Sequence, residues 1–430
     1  MRYYSTENRN LKKNLKDAVL QGLAEDNGLF MPENFPVFQS SFLKEIRNMS
    51  FSEISSLIAI HFFGDDIPAC DLEEITTDAI SFETPLVRIH DNVYTLELFH
   101  GPTFAFKDVG ARFMARLLGY FIKGYHEEVN VLVATSGDTG SAVANGFLKI
   151  PGIRVHILYP KGLVSILQEK QFTTLGENIT AIEIDGTFDD CQRLVKSAFL
   201  DKDLRQKITL SSANSINLAR LIPQTFYYFN GYAQLEDPGK RLYISVPSGN
   251  FGNLTAALMA GRMGLPVIQF ISPTNVNDIV PEYLKTGIFT PKPSVATIAN
   301  AMDVGNPSNF VRILDMYDHS HEAIKKDIAG YSFTDAAIRK IIKKVYEDHG
   351  YLLDPHGATG YQSLSNHIGS LENAHGFFIE TAHPAKFRET VEEVTGIPVE
   401  IPASLKATMG KPSKSIPLSK EYEDFKEYLI

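Results

Sequence analysis

The chain has 430 residues, of which 44% are hydrophobic and 21% charged, so it is long enough for two or three domains and its composition excludes intrinsic disorder. The formal net charge of -10 repels polyanions and disfavours broad contact with nucleic acid or an anionic membrane, so an anionic ligand requires a locally built site. The two cysteines, Cys70 and Cys191, lie far apart without a CxxC motif, and we therefore predict neither a disulfide framework nor a thiolate zinc site.

Residues 1 to about 80 are predicted to be mostly helical. Leucine or valine recurs at every fourth position from Leu11 to Leu23, which predicts one amphipathic helix there, and the prolines of "MPENFP" end it. The opening "MRYYSTENRNLKKNLKDAVL" is polar and lacks the apolar segment of a secretory signal, and no stretch approaches about 18 consecutive apolar residues. We therefore expect a cytoplasmic protein without a membrane span.

From about residue 85, apolar strands alternate with helical segments. The predicted strands are VNVLVA, IRVHILYP, ITAIEID, RLYISV, PVIQFIS and HGFFIET. This alternation is typical of parallel βαβ units, so we predict an α/β protein. The last thirty residues are predicted to form a polar arm that leads into a short terminal helix.

One lysine occupies an unusual position for a cation. In "YTLELFHGPTFAFKDVGARFMARLLGYFI", Lys107 falls in the first turn of a predicted helix, among aromatic residues and beside Asp108. The helix dipole and the apolar neighbours both disfavour an ammonium group, so both lower the pKa of this amine. Because Schiff-base chemistry requires an uncharged amine, we predict that Lys107 is bonded to pyridoxal phosphate.

The segment "TSGDTGSA", residues 135–142, contains the Asp-Thr-Gly tripeptide of the aspartic proteases. Those enzymes need two such carboxylates to share a proton, and this chain has a single copy. A predicted strand enters the segment and a predicted helix leaves it. We therefore expect a loop at the C-terminal end of a parallel strand, where open α/β sheets bind anions and small ligands.

A second loop, "PSGNFGN" at residues 247–253, has the same strand-loop-helix construction. Its two glycines, Gly249 and Gly252, are predicted to adopt positive φ and to let the backbone amides converge into an anion-binding nest, for which a phosphate is the expected guest. The loop is neither a Walker A motif nor a GxGxxG fingerprint. Taken alone, the pattern also fits an ordinary connector.

Several motifs together resemble the threonine synthase family. They are HGPTFAFKD, TSGDTGSA, NSINLAR, PSGNFGN, AMDVGNPSNF, DPHGATGY and ETAHPAKF, in that order along the chain. The opening "YYSTEN...AVLQGLAEDNGLFMPE" is similar to the extra N-terminal domain of the longer branch of that family.

The resemblance implies an α/β enzyme of fold type II, with two parallel-sheet α/β domains and a mainly helical N-terminal domain. The implied N-terminal domain covers residues 1–82, and the implied catalytic region covers residues 83–430. Within it, a smaller α/β subdomain at roughly residues 108–230 is inserted in the large domain, and residues 404–430 form a C-terminal arm.

The resemblance also implies an activity and a set of site residues. The implied reaction converts O-phospho-L-homoserine and water into L-threonine and phosphate, with Lys107 as the cofactor anchor, base and acid. No metal is implied. The implied cofactor contacts are Lys107, Asp138, Gly249, Asn250, Phe251, Gly252, Asn253 and Thr381, and the implied substrate contacts are Ser136, Gly137, Thr139, Asn214, Ser215 and Arg220.

Some assignments remain open at this stage. Asp138 stands where the wider fold group commonly has an asparagine beside the cofactor's 3-oxygen, so its carboxyl group is either protonated or directed elsewhere. Arg112 is a weaker candidate for the substrate phosphate. No role follows for Asp303, Asn306 or His356.

The sequence leaves two alternatives to a threonine synthase. A related enzyme of the same fold, such as an amino-acid dehydratase or a phospholyase, would keep most motifs, although NSINLAR argues against a plain dehydratase. A catalytically silent binding protein on this scaffold is disfavoured by Lys107 and by both glycine loops. A monomer and a homodimer are both compatible with the sequence.

Overall fold

The computed structural model describes residues 1–430, the whole chain. The strands are β1 (Tyr3–Ser5), β2 (Lys12–Lys13), β3 (Phe30–Pro32), β4 (Leu86–His90), β5 (Val93–Glu97), β6 (Val129–Ala134), β7 (Ile153–Pro160), β8 (Ile179–Ile184), β9 (Thr209–Ser212), β10 (Arg241–Ser245), β11 (Val267–Thr274), β12 (Ile328–Ser332), β13 (Ala374–Glu380) and β14 (Ile416–Leu418).

Helices surround these strands. The α-helices are α1 (Leu15–Gln21), α2 (Ser40–Glu45), α3 (Phe51–Phe63), α4 (Ala69–Ala79), α5 (Lys107–Ile122), α6 (Asp138–Phe147), α7 (Ile166–Thr173), α8 (Phe188–Leu200), α9 (Lys202–Lys207), α10 (Leu218–Leu221), α11 (Thr225–Ala233), α12 (Gly252–Arg262), α13 (Ile279–Thr286), α14 (Phe310–Met316), α15 (His321–Asp327), α16 (Asp335–His349), α17 (Pro355–Ile368), α18 (Arg388–Thr395), α19 (Ala403–Met409) and α20 (Tyr422–Leu429). Short 3-10 turns occur at Ile46–Asn48, Ile222–Gln224, Asn300–Met302 and Pro384–Phe387.

The N-terminal region combines four helices with a small antiparallel sheet of order β2-β1-β3. The prediction of one helix from Leu11 to Leu23 is wrong at both ends, because α1 covers only Leu15–Gln21. Asn14 caps the start of this helix by accepting a hydrogen bond from the Asp17 amide at 2.8 Å. Gly22, at φ 67°, ends it.

The larger of the two main sheets has the strand order β12-β11-β10-β13-β5-β4. Every neighbouring pair is parallel except β4 and β5, which form an antiparallel hairpin at one edge. Helices α16 and α17 pack against this sheet, and their apolar side chains form a hydrophobic core with it that is separate from the main core of the protein. We call this part the large domain.

The smaller main sheet has the order β14-β8-β7-β6-β9, and all of its pairs are parallel. We call this sheet and its helices the small domain. Its edge strand β14 comes from the C-terminal arm, which the sequence predicted as polar and without a strand. Three residues, of which Ile416 and Pro417 are exposed and Leu418 is half-buried, carry too weak a pattern to be recognised before the arm is placed against β8.

The six predicted strands are present, and the predicted α/β class with two parallel sheets and an N-terminal domain is confirmed. One continuous core joins the N-terminal helices to α5, α6, α11 and α12 and to one face of the small sheet. None of the helices has both the length and the apolar character that a membrane span would need.

Candidate active site

The C-terminal ends of several parallel strands open into one cleft, the position at which open α/β sheets bind their ligands. The loops after β5, β6, β9, β10 and β13 all reach it. The cleft encloses about 1060 Å³, including its open mouth. The predicted site residues that line it are Lys107, Ser136, Asp138, Thr139, Asn214, Ser215, Arg220, Gly249, Asn250, Phe251, Gly252, Asn253 and Thr381.

Lys107 is the first residue of α5, and the loop before it is held firmly. The Asp108 carboxylate accepts hydrogen bonds from the Thr103 amide at 2.9 Å and the Thr103 hydroxyl at 2.5 Å. The Phe106 amide donates to the Thr381 carbonyl at 2.9 Å, which ties this loop to the end of β13. The Lys107 side chain is 17% exposed, and that exposed part faces the cleft.

The electrostatic surroundings of Lys107 favour an uncharged amine. Burial lowers the pKa of Lys107 and is the largest influence. The Asp138 carboxylate, whose Oδ2 lies 3.8 Å from the Lys107 Nζ, opposes this effect, whereas the charges of Lys386 and Arg220 reinforce it. The net direction agrees with the sequence-based expectation for a Schiff-base lysine.

The loop between β10 and α12 forms the expected nest, but its backbone differs from the prediction. Phe251, and neither of the two glycines, has a left-handed conformation, at φ 61°. The glycines are needed for close approach instead. A Cβ atom on Gly249 would lie 2.7 Å from the Met302 Cα, and one on Gly252 would lie 3.1 Å from the Ser215 Cβ.

The backbone amides of this nest are available to a ligand, because none of the five from Gly249 to Asn253 has an acceptor within the chain. The amide side chains are used internally. Asn250 donates to the Ser215 hydroxyl at 3.1 Å and accepts from the Ser308 amide at 2.6 Å. The nest therefore offers free N–H groups at the N-terminus of α12, as a phosphate site requires.

Of the residues predicted as substrate contacts in the loop after β6, two line the cleft and one shapes the loop. Ser136 and Thr139 line the cleft. Gly137 does not, and its amide donates to the Thr135 hydroxyl at 2.9 Å. Its φ of 139° and the Gln168 Cδ, 2.6 Å from a Cβ built on Gly137, account for a glycine at this position.

Asp138 is ionised and directed to one side. Burial raises the pKa of Asp138, but the ammonium group of Lys386 and the hydrogen bonds from Lys386 and Gln168 outweigh this effect and hold the pKa well below its usual range. The Lys386 Nζ lies 2.6 Å from the Asp138 Oδ1, and the Gln168 amide donates to the same oxygen at 2.8 Å. Of the two possibilities left open by the sequence, the lowered pKa argues against a protonated Asp138.

The segment NSINLAR after β9 places a cation in the cleft. Arg220 is only 3% exposed, and burial lowers its pKa to about 10. Its guanidinium donates to the Ala213 carbonyl, whereas its Nε has no acceptor within the chain. The Asn214 side chain is engaged with the Ala134 backbone. An unpartnered buried donor of this kind signals a missing acceptor.

Arg112 does not belong to the site. It lies outside the cleft, and its guanidinium donates to the carbonyls of Ala79 at 2.8 Å and Asp78 at 2.5 Å. Arg112 therefore connects α5 to the N-terminal domain. The prediction of Arg112 as a candidate ligand of the substrate phosphate was wrong.

Of the three residues to which the sequence assigned no role, two line the cleft and one lies outside it. His356 lies in the cleft, with its Nδ1 2.7 Å from Asp354 and its Nε2 accepting from the Ala301 amide at 3.2 Å. Asp303 also lines the cleft, and burial raises its pKa to about 6. Asn306 is exposed and lies outside.

Two buried cationic side chains, Lys386 and Arg312, were not predicted from the sequence. Lys386 was present in the ETAHPAKF motif, but nothing in its spacing indicated a buried ion pair. Arg312 is completely buried beneath the nest without a carboxylate partner. Its guanidinium donates to the Phe30 and Ser215 carbonyls, each at 3.0 Å, to the Ile216 carbonyl at 2.6 Å and to the Asn309 Oδ1 at 2.6 Å. It thereby joins the N-terminal domain to the segment after β9 and, through Asn309, to Asn250 of the nest.

The residues of the cleft fit pyridoxal phosphate. Lys107 offers an amine of lowered pKa, and the nest offers five free amides. The two glycines allow the close approach of Met302 and Ser215 on which the shape of the nest depends. This combination of fold and site belongs to the fold type II pyridoxal-phosphate-dependent enzymes. A family profile described as "Pyridoxal-phosphate dependent enzyme" matches residues 80–376.

The remaining parts of the chain narrow the class to one family. Profiles described as "Threonine synthase N terminus" and "Threonine synthase, C-terminal" match residues 2–80 and 357–429. The chain is 43% identical to the threonine synthase of Buchnera aphidicola subsp. Baizongia pistaciae, with 100% of both chains covered. It is 44% identical to that of Escherichia coli, with 94% of both covered. The chain belongs to the threonine synthase family.

Solved structures agree with this assignment. The crystal structure of threonine synthase from Escherichia coli matches with a TM-score of 0.94 and 41% identity, covering 100% of this chain and 99% of that one. The pyridoxal-phosphate-bound threonine synthase from Brucella melitensis matches with a TM-score of 0.92 and 34% identity, covering 100% and 98%. The predictions of a threonine synthase, of a pyridoxal-phosphate-dependent lyase and of this cofactor are confirmed, and the enzyme acts on a small-molecule substrate.

Proposed function

We propose that the substrate is O-phospho-L-homoserine, which the enzyme converts with water into L-threonine and phosphate in the cytoplasm. One observation carries this proposal: a single amine of lowered pKa, Lys107, shares its cleft with two separate anion sites. The nest at Gly249–Asn253 is suited to the cofactor phosphate, which leaves the Arg220 site for a phosphate on the substrate. The two free cysteines are consistent with a reducing compartment.

Pyridoxal phosphate supplies the conjugated system that spreads the negative charge formed when the substrate loses a proton. Lys107 would hold the cofactor and would then remove the Cα proton and return protons later, because its amine is enclosed and burial lowers its pKa. Thr381, buried at the end of β13, would hydrogen-bond the pyridine nitrogen. The free amides of the nest would hold the cofactor phosphate.

The substrate would be oriented by its two anionic groups. Its phosphate would face Arg220, whose Nε lacks an acceptor, with the Ser215 hydroxyl nearby on the same segment. Its carboxylate would face Ser136 and Thr139, because α6 begins there and presents the positive end of its dipole. Gly137 would contribute the shape of this loop.

Water must stay out until phosphate has left and must then enter to add at Cβ. We propose that the small domain closes over the substrate to time this exclusion. A crystal structure with a non-reactive phosphohomoserine analogue is expected to show the small domain displaced towards the large one. An unchanged relation between the two domains would contradict this part of the proposal.

The substrate assignment is tested with the purified holoenzyme. Incubation with O-phospho-L-homoserine is expected to release phosphate and L-threonine in equal amounts. A dehydratase or phospholyase would give a keto acid instead of threonine, and a silent binding protein would release neither. Either result would contradict the proposal.

Replacing Arg220 tests the substrate-phosphate site. In Arg220→Met we expect kcat/KM for O-phospho-L-homoserine to fall by about 100-fold, because removing one partner of a buried charged contact costs about 2–5 kcal/mol. Steady-state kinetics checks this change, and cofactor content by visible absorbance should remain near that of the unmodified enzyme.

The matched control is Arg116→Met, on α5, whose guanidinium bonds Asp78 at 2.6 Å outside the cleft. It should leave KM unchanged. If both arginine variants lose kcat/KM equally, Arg220 has no special relation to the substrate phosphate.

A further inference from the structure

Two lysines share one carboxylate at the base of the cleft. The Lys386 side chain is completely buried, and its Nζ lies 2.6 Å from the Asp138 Oδ1. The Lys107 Nζ lies 3.8 Å from the other oxygen, Oδ2. Asp138 therefore forms its close ion pair with Lys386, and the Lys107 amine lies beyond hydrogen-bonding distance of the carboxylate.

The positions of both lysines are fixed by the backbone. Lys386 lies in the turn Pro384–Phe387, and its ammonium also donates to the Thr103 carbonyl at 2.9 Å. The Phe104 carbonyl accepts from the His383 amide at 3.1 Å. The loop that carries Lys107 and the turn that carries Lys386 are thus clamped together, with the Asp138 carboxylate between their amines.

The charged groups that face Lys107 are Asp138, Lys386, Arg220 and Asp354. Asp354 is occupied elsewhere, because it caps α17, lies 2.7 Å from the His356 ring and accepts from a backbone amide after β13. Asp138 is therefore the anion that would pair most readily with Lys107. Without Lys386, its carboxylate would have Lys107 as its nearest ammonium partner.

Lys386 and Lys107 compete for the Asp138 carboxylate. The outcome matters for Lys107 because an ammonium group has no lone pair with which to attack an aldehyde or remove a proton. A buried lysine that forms a direct ion pair with a carboxylate is held in its charged form. We propose that Lys386 is a positioning residue that retains the Asp138 carboxylate and so leaves Lys107 uncharged and reactive. This inference rests on the proposed role of Lys107 as the residue that binds the cofactor.

The same ion pair explains how an aspartate is tolerated in this loop. The carboxylate is neutralised by a cation that belongs to the protein, and Gln168 donates a further hydrogen bond at 2.8 Å. A charged Asp138 is then compatible with a cofactor that itself carries negative charge. Lys386 and Asp138 act as one unit of zero net charge beside the reactive amine.

The test measures how fast apoenzyme recombines with pyridoxal phosphate, followed by visible absorbance between about pH 6 and pH 9. This rate reports the fraction of Lys107 that is uncharged. In Lys386→Met we expect the pH profile to move upward and the rate at pH 7 to fall by about tenfold or more, because each unit of pKa changes the uncharged fraction about tenfold. In Asp138→Asn we expect the profile to move downward.

The double variant Lys386→Met/Asp138→Asn distinguishes this role from a structural one. It removes both charges at once, so its profile should return towards that of the unmodified protein, whereas a merely structural lysine would not be rescued by a second substitution. A profile unchanged in Lys386→Met, or a double variant as impaired as the single one, would overturn the inference. If Lys386→Met does not fold, the Asp138→Asn profile decides, and a shift to higher pH or no shift overturns it.

Failure of the underlying assignment gives a different result. Lys107→Ala apoenzyme should form no site-specific absorbance with pyridoxal phosphate at any pH. If it does form that absorbance, then the proposed role of Lys107 is wrong, whatever the Lys386 variants show.

Discussion

Replacing Lys107 with alanine is expected to lower threonine formation by at least about 10⁴-fold, since the variant loses the amine that acts as base and acid. The purified variant should also lack the visible absorption band of the holoenzyme. Both properties are measured on one preparation, by a coupled phosphate assay and by an absorption spectrum.

Lys123→Ala is the matched control for this variant, because Lys123 is exposed at the other end of the same helix, α5. It should keep both the band and the activity. Retention of the band in Lys107→Ala would show that another amine holds the cofactor.

Replacing Arg312 with methionine is expected to lower the free energy of unfolding by about 3–5 kcal/mol. The change leaves the carbonyls of Phe30, Ser215 and Ile216 and the side chain of Asn309 without their buried donor. Urea unfolding followed by circular dichroism measures the difference.

The control for Arg312 is Arg262→Met, because Arg262 is exposed, donates to the Met316 carbonyl at 3.1 Å and otherwise lies over the Tyr317 ring. Its cost should stay below about 1 kcal/mol. Similar losses in the two variants would contradict the special place that we give to the buried guanidinium. Since Asn309 and Ser215 also hold Asn250, Arg312→Met should bind pyridoxal phosphate more weakly as well.

The sequence was informative where local pattern decides the structure. Runs such as VNVLVA and RLYISV carry their strand preference within a few residues, and the glycine loops that follow them mark strand ends. The ends of parallel strands meet at one edge of a sheet, so Lys107 and the nest could be placed in one site without coordinates.

Properties that depend on distant parts of the chain were not predictable. The ion pair of Lys386 with Asp138 joins residues that are 248 positions apart, and no spacing rule links them. The nest shows the same limit at close range. Gly249 was predicted to adopt a positive φ, but the approach of Met302 is what excludes a side chain there, and Phe251 adopts the left-handed conformation.

The N-terminal helix α1 shows a third reason why the sequence-based prediction differs from the structure. The spacing of leucines from Leu11 to Leu23 fits a helix, yet Lys12–Lys13 pairs with β1 and Asn14 starts the helix only at the next residue. Strand pairing and capping each outweigh an apolar repeat of this length.

The chain crosses between the large and the small domain three times, and the C-terminal arm makes the third crossing. The chain passes from the large to the small sheet before α5, returns after β9, and crosses again after α18, where Lys414 and Lys170 fasten the arm to α7. The first crossing carries Lys107 and the second carries Ser215. If the small domain rotates as proposed, the segments that carry Lys107 and Ser215 would move with it, so that this motion would also change the geometry of the reacting groups.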